Sequence, residues 1–425
     1  MQKAKQLTNG MRYHLVPFEG TEAATVLVLV KVGSRYEPLN LWGASHFIEH
    51  LMFKGTKKRP KTVDISRILD RYGAQFNAYT GKDLTGYYVK IASDKLGIAV
   101  ELLYDMLIKS LYAPVEVKRE KGVILEEIKM YEENPMMHIG DMIELAMFDG
   151  NPLGREIAGT PESMIKMRRS DIIRYRDRYY VPSEMVVVVA GKIPKGIVAL
   201  LNNTFGRVKQ GAEPESFMPF GQMPERETPR VARQYKDLKQ IQVALSFPGP
   251  NMKSKQMPAF QIMANILGGT MSSRLFTEVR ERRGLCYFVR AGVEAYEDVG
   301  MLLIRAGLDA GRLDEALKVI VSELRKMVKD GVTAQELKFA KDQAEGAAKL
   351  GFEDSSNRAE FVCRQELFFG AVESLEEKLA KINQVTGGDV QKIAQEVINF
   401  KKLSIAAIGP YKTDAALLRH LPVIG

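Results

Sequence analysis

Residues 40–55 read NLWGASHFIEHLMFKG, and within them lies His46–Phe47–Ile48–Glu49–His50. Asn40 is a plausible cap and Gly55 a plausible stop, so the spacing predicts a helix over about 41–54. At ~100° per residue, Trp42, His46, Glu49, His50 and Phe53 share one sector about 100° wide. Ala44, Phe47, Ile48 and Leu51 spread over much of the rest, which predicts a largely buried helix. Residues four apart lie on one face, so both imidazoles can reach one metal ion. Glu49 projects from the neighbouring flank, beside that ion without having to be a ligand. A pair of core histidines with a salt-bridged Glu is the competing reading. It has to supply partners for two imidazoles and a carboxylate on a buried helix.

Catalytic zinc usually takes three protein ligands and leaves one position for water. The helical stretch after Pro114 offers Glu116, Glu120, Glu126, Glu127, Glu132 and Glu133. Periodicity separates them. Val117, Val123, Ile124, Ile128 and Tyr131 cluster in one broad sector that includes Glu120 and Glu127. Glu126 falls with Arg119, Lys129 and Glu133 on the polar face. An acid embedded in an apolar face needs a cation or a metal, so Glu127 is the better third ligand. Glu120, two turns earlier, either orients a ligand histidine or forms a plain salt bridge to a nearby Lys or Arg.

Outside these segments the chain reads as two similar halves. In the first, a strand at 24–32 precedes the histidine helix. A second helix at 63–72, with Thr62 as a plausible cap, leads to strands within 76–91 and a third helix at 95–111. In the second half the same order recurs: strand 240–247, helices 256–267 and 272–282, strands within 286–306, helix 312–329. The strands partly alternate polar and apolar residues, as half-buried antiparallel strands do. Between the halves, 211–229 contains Pro214, Pro219, Pro224 and Pro229 with several Glu and Gly, a linker composition. The expected organisation is α+β, with domains at 1–212 and 231–425 joined by 213–230.

Composition narrows the class. The chain has 425 residues, 45% hydrophobic and 27% charged, values ordinary for a globular protein of two or three domains. Two cysteines, Cys286 and Cys363, exclude a disulfide framework and a thiolate-rich zinc site. The longest apolar runs are strand-sized, far from the ~18 residues of a membrane span. The amino terminus has no apolar h-region and is not an Arg/Ser-rich transit peptide, so the cytoplasm is the expected compartment. The net charge is +9, but Lys and Arg are dispersed among acids, and nucleic-acid binding is not expected. Gly268–Gly269–Thr270 is no Walker or dinucleotide fingerprint.

His-x-x-Glu-His, followed some seventy residues on by the Glu-x6-Glu pair Glu120 and Glu127, resembles the signature of the inverted-motif zinc peptidases of the pitrilysin/insulinase family. The similarity covers nearly the whole chain. GAQFNAYTGKDLTGYY at 73–88 is similar to the family's strand pair beside the catalytic helix, and LGGTMSSRLFTEVRERRGLCY at 267–287 to its second-half signature. The length resembles that of the processing-peptidase-like branch. The resemblance implies that His46, His50 and Glu127 bind one Zn²⁺ per chain, that Glu49 is the general base, and that Glu120 supports the site. It also implies that Arg280 and Tyr287 contact substrate near the scissile bond. By themselves those two read as a basic helix end and a strand aromatic.

The same resemblance implies an endopeptidase for unfolded peptides or short polypeptides. Each chain would be one half of a clam-shell chamber, expected as a homodimer because this chain carries both the metal motif and the Arg/Tyr pair, with a heterodimer containing an inactive homologue as the other arrangement. Substrate is expected to add as a strand along Phe76, Asn77, Ala78, Tyr79 and Thr80. Phe53 shares the metal face of its helix and either lines a pocket for an apolar residue after the cut or packs in the core. Presequence-cleaving members use acids shortly after the third ligand to hold a substrate arginine. Met136, Met137, His138 and Asp141 stand near that place here, and the single carboxylate counts against arginine-directed cleavage. A non-catalytic core or peptide-binding subunit of a larger complex is the rival reading. Relatives of that kind have altered metal residues, whereas all four are intact here.

Overall fold

The computed structural model describes residues 3–421. They form two compact units, each with its own sheet. The first unit holds β1 (Lys5–Gln6), β2 (Arg12–Pro17), β3 (Ala23–Val30), β4 (Gln75–Thr80), β5 (Thr85–Ala92) and β6 (Met185–Gly191). Their order is β1-β2-β6-β3-β5-β4. The second unit holds β7 (Arg230–Tyr235), β8 (Gln240–Gly249), β9 (Cys286–Ala295), β10 (Gly300–Asp309) and β11 (Ser404–Gly409), in the order β7-β11-β8-β10-β9. With β1 set aside, the two orders are the same. Each begins with one parallel pair, β2 with β6 and β7 with β11, and is antiparallel thereafter. The expected duplication of a mixed α/β unit is therefore present strand by strand.

The central strands AATVLVLV (β3) and MVVVVAG (β6) are apolar almost throughout, because both faces of the sheet are covered. Alternation along β3 sends Ala24, Val26, Val28 and Val30 into one core with Leu96, Ala99, Val100 and Leu103 of the helix Leu96–Lys109. Thr25 points the other way and hydrogen-bonds Ser355, 2.7 Å between hydroxyl oxygens, from a helix 330 residues later. That helix, Ser355–Phe369, lies across β3 and β6. In return, the helix Pro135–Met147, from the first third of the chain, packs on β8 and β11 of the second unit. A single cut into 1–212 and 231–425 therefore does not describe these units. The chain passes from one to the other at Met218/Pro219, inside the Pro-rich stretch, but also at Ile128/Lys129, Arg155/Glu156, Gly346/Ala347 and Ser374/Leu375.

Several local expectations shift. The histidine helix is shorter than predicted, Ala44–Met52, because residues 39–41 form a separate 3₁₀ turn and Gly43, not Asn40, is the cap. Gly43 sits at φ +96°, and a Cβ there would meet the Ala158 carbonyl oxygen at 2.6 Å. Thr62 is the first residue of its helix rather than the cap; Asp64 instead accepts a hydrogen bond from the Lys61 amide. In the second unit, helix Met257–Ala264 gives way to a widened turn at Asn265–Gly269, and the predicted helix 272–282 is helical over 274–281, widened at Phe276–Glu281.

The exchanged helix is tied to the first sheet by a buried carboxylate. Glu366, 2% exposed, accepts from Arg12 (3.2 Å) and lies 2.9 Å from His14 Nε2. Glu366→Ala strands the buried His14 imidazole, takes a carboxylate from the partly exposed Arg12, and is expected to cost about 1–3 kcal/mol in the urea unfolding of the first unit. An unchanged unfolding midpoint would mean that the helix is held by packing alone.

Candidate metal centre

Nine residues are too few for a helix that stands by itself. Ala44–Met52 is held by burying Phe47, Ile48, Leu51 and Met52, all fully buried in the first unit's core. The opposite face then carries His46, Glu49 and His50 together. The facing carboxylates come from the helix Pro114–Glu133, whose Val117, Ile124 and Ile128 enter the same core. That periodicity puts Glu120 (2% exposed) and Glu127 on the inner side, while Glu126 is exposed, as the sequence predicts.

The geometry suits a metal ion better than direct hydrogen bonding. Glu127 Oε1 lies 3.7 Å from His46 Nε2, and Glu127 Oε2 lies 3.4 Å from His50 Nε2. Both distances exceed the usual hydrogen-bond range. Two donors each ~2.0–2.1 Å from a tetrahedral zinc sit about 3.4 Å apart, so the separations leave room for one ion. Among the described residues, His46, His50 and Glu127 form the only group of three or more metal-binding side chains, with ligand atoms within 4.8 Å of one another. The donor set, two imidazoles and one carboxylate, is the catalytic-zinc kind that keeps a coordination position open.

Around these three, other residues fix orientation. Glu120 Oε2 is 3.2 Å from His50 Nδ1, and its second oxygen pairs with Lys54 Nζ at 3.0 Å. Both readings of Glu120 thus hold at once: it touches a candidate ligand and it is salt-bridged. His46 Nδ1 is buried with no hydrogen-bond partner among the described residues, so the two imidazoles are supported unequally. Thr80 Oγ1, at the end of β4, donates to Glu49 Oε2 at 2.6 Å. Sequence reading placed Thr80 on the substrate edge but missed its bond to Glu49, and it did not single out Lys54 as the partner of Glu120. The only signal for Thr80 was a polar residue ending the strand beside the helix.

Burial sets the protonation pattern. It pushes Glu49 up, against the Thr80 hydrogen bond and the His50 charge. Burial, then the neighbouring His50, brings His46 down to about 4. Burial also pulls on His50, but its contacts with Glu127 and Glu120 outweigh it and the net shift is upward. Contact with His50 holds Glu127 below the usual carboxylate range.

The remaining candidates divide by unit. In the first, β4 pairs only with β5 and is an edge strand. Phe76 and Asn77 are exposed there, and Ala78 is buried. The Tyr79 hydroxyl donates to Glu360 of the exchanged helix. Phe53 is half-buried, and its ring lies 6.1 Å from that of Phe76. In the second unit, the Arg280 guanidinium stands 5.6 Å from the Tyr287 ring centre, so these two are neighbours, with Tyr287 69% exposed. Cys286 beside them is pushed up to about 11 by burial, which leaves it a thiol at neutral pH.

Metal binding must displace protons from the imidazoles. With His50 raised and His46 near 4, one proton competes with Zn²⁺ across pH 5–6. The affinity is expected to fall by about one log unit per pH unit there, steepening towards about two below pH ~4. Competition against a chromophoric chelator measures this, and a slope of two already at pH 5–6 would contradict the unequal pair.

Comparison with known proteins agrees with this geometry. Residues 16–161 match the sequence model described as Insulinase (Peptidase family M16), and residues 166–344 match that described as Peptidase M16 inactive domain. The first span contains the histidines and both glutamates. An uncharacterized zinc protease of Mycobacterium leprae is 34% identical over 423 residues, 98% of this chain and 94% of that protein. One from Bacillus subtilis is 32% identical over 410 residues, 96% and 98% of the two chains. The crystal structure of a protease from Helicobacter pylori superposes with a TM-score of 0.88 at 25% identity, covering 96% of this chain and 99% of that one. On relatedness that runs through both halves and nearly end to end, the chain belongs to the insulinase family, peptidase family M16.

Proposed function

We propose that this protein is a zinc-dependent endopeptidase acting on unfolded peptides, with one Zn²⁺ per chain held by His46, His50 and Glu127. The observation that carries the reading is the 3.4 and 3.7 Å spacing of Glu127 from the two imidazoles, with Glu49 beside them on the same helix face. Related chains named zinc proteases support the choice of metal. When bound, zinc supplies a Lewis acid that polarises a carbonyl oxygen and acidifies water.

The chain's own residues do the rest. Glu49 takes the proton of the attacking water and passes it to the leaving amine. Burial raises Glu49 above the usual carboxylate range, the direction that suits a base that must also act as an acid. Thr80 fixes which carboxylate oxygen is free for that transfer. Glu120 fixes the ring of His50 through Nδ1. The open edge of β4 pairs with substrate main chain, which gives affinity without a sequence demand. We assign Arg280 and Tyr287 to substrate contact on the family resemblance; their adjacency and the exposure of Tyr287 are compatible with shared use. Two copies enclosing a chamber, or one copy with an inactive homologue, belong to the same proposal. So does the cytoplasm, where free thiols such as Cys286 and Cys363 persist.

The test is cleavage of a quenched peptide of ~10 residues or more, longer than the six residues of β4 it would pair with. Activity is expected to disappear with a chelator and return with zinc. Glu49→Gln is expected to keep zinc and lose at least ~10²-fold in rate; full activity in that variant would sink the base assignment. Zinc bound in equal ratio with no cleavage by the unaltered protein would favour the non-catalytic, peptide-binding alternative. Phe53→Ala is expected to change the preference for the residue after the cut by about 10-fold or more. Unchanged preferences across a peptide library would return Phe53 to the core.

A further inference from the structure

The first turn of the histidine helix has no capping side chain of its own. Gly43 is the cap, so the first amide N–H groups need acceptors from elsewhere. Glu37 supplies them. Its Oε2 accepts from the Gly43 amide at 2.6 Å, and its Oε1 accepts from the Ser45 amide at 2.7 Å. The residue is 2% exposed. A carboxylate buried this deeply is costly unless it is hydrogen-bonded. Two short charge-assisted bonds at the positive end of a helix are the strong form of that compensation. Ser45 is the residue immediately before His46, so the carboxylate grips the helix one peptide unit from a candidate ligand.

Glu37 is itself anchored. It follows a 3₁₀ turn, Ser34–Tyr36, whose amides bond the β4–β5 turn: Ser34 to the Gly81 carbonyl at 3.1 Å and Arg35 to the Lys82 carbonyl at 3.2 Å. The buried Arg35 side chain adds an ion pair to Asp83 at 3.0 Å. The same hairpin ends β4 with Thr80, which holds Glu49. One hairpin therefore reaches the histidine helix by two routes, through Glu37 at its first turn and through Thr80 at its carboxylate. Leu51 and Phe47 fix how deep the helix lies. Apolar contacts are non-directional, however, and leave its rotation and its sliding along its axis loosely specified. Two hydrogen bonds to fixed backbone amides supply that direction.

We infer that Glu37 is a positioning residue for the metal centre: its bidentate grip on Gly43 and Ser45 sets the rotation of the helix that aims His46, Glu49 and His50. This inference rests on the metal reading above. It goes further in assigning the alignment of that site to a carboxylate that touches neither the ion nor the substrate.

Glu37→Gln keeps shape and one acceptor oxygen but turns an amide N–H₂ against a backbone donor. Glu37→Asp keeps the charge but is one methylene too short to span both amides. In the full-length protein, both variants are expected to lower kcat by about 10-fold or more with KM within about twofold. They should also weaken zinc binding by about 10-fold in chelator competition, the size of effect found for residues that orient metal ligands. Cobalt substituted for zinc gives a readout independent of turnover, because its visible absorption reports the ligand geometry and should shift in the variants. Unchanged zinc affinity, cobalt spectrum and kcat in Glu37→Gln would overturn the inference, even with a lowered melting temperature, since that would be a purely structural cap. Failure of the unaltered protein to bind zinc would instead overturn the metal reading beneath it.

Discussion

The structure turns on one constraint: a nine-residue helix must bury one side completely while exposing three polar groups on the other to a common point. Phe47, Ile48, Leu51 and Met52 meet the first demand, and the polar side that remains is only partly open to water. Every polar group on the second side must then find a partner in protein or metal. Glu120, Glu127 and Thr80 are those partners, and each comes from an element that is itself rooted in the same core. Removing any of them leaves a polar group with only limited access to water in its place.

Duplication supplies the frame and asymmetry supplies the chemistry. Both sheets have the same strand order, including the single parallel pair, yet only the first unit carries histidines on the helix that follows its long central strand. The corresponding helix in the second unit, Met257–Ala264, reads MPAFQIMA and is packed with apolar residues. The second copy keeps the scaffold and carries the adjacent pair Arg280 and Tyr287 instead. The widened helical turn that bears Arg280 is a geometry often associated with functional positions.

Much of this was legible in the sequence because it is local. Helical periodicity alone placed His46, Glu49 and His50 on one face, and separated Glu127 and Glu120 from Glu126. What was not legible depends on contacts far along the chain. The sequence reads these strands as half-buried; that both faces of β3 and β6 are covered, and that the helix Ser355–Phe369 is one of the covers, appears only in the structure. Glu37 was not singled out in the sequence, because its partners are backbone amides and leave no side-chain pattern. The cap at Gly43 was missed for the same reason. The residue chosen, Asn40, had the right chemistry, but the chain needed a positive φ three residues later.

The exchanged helix also has a consequence in time. Thr25 and its partner Ser355 are separated by 330 residues. At a synthesis rate of ~5–20 residues per second, roughly 15–70 s pass between the emergence of β3 and that of its second cover. Throughout that interval one apolar face of the first sheet is open, on a ribosome still making the second unit. The first domain of this chain cannot finish folding as a nascent segment, whatever its sequence resembles in isolation. The order of events is imposed by topology: the histidine helix and its glutamates can assemble early on the covered face, while closure of the other face waits for a helix 330 residues further on. Nascent-chain holdases, which bind exposed apolar surface, would find their substrate here throughout that interval.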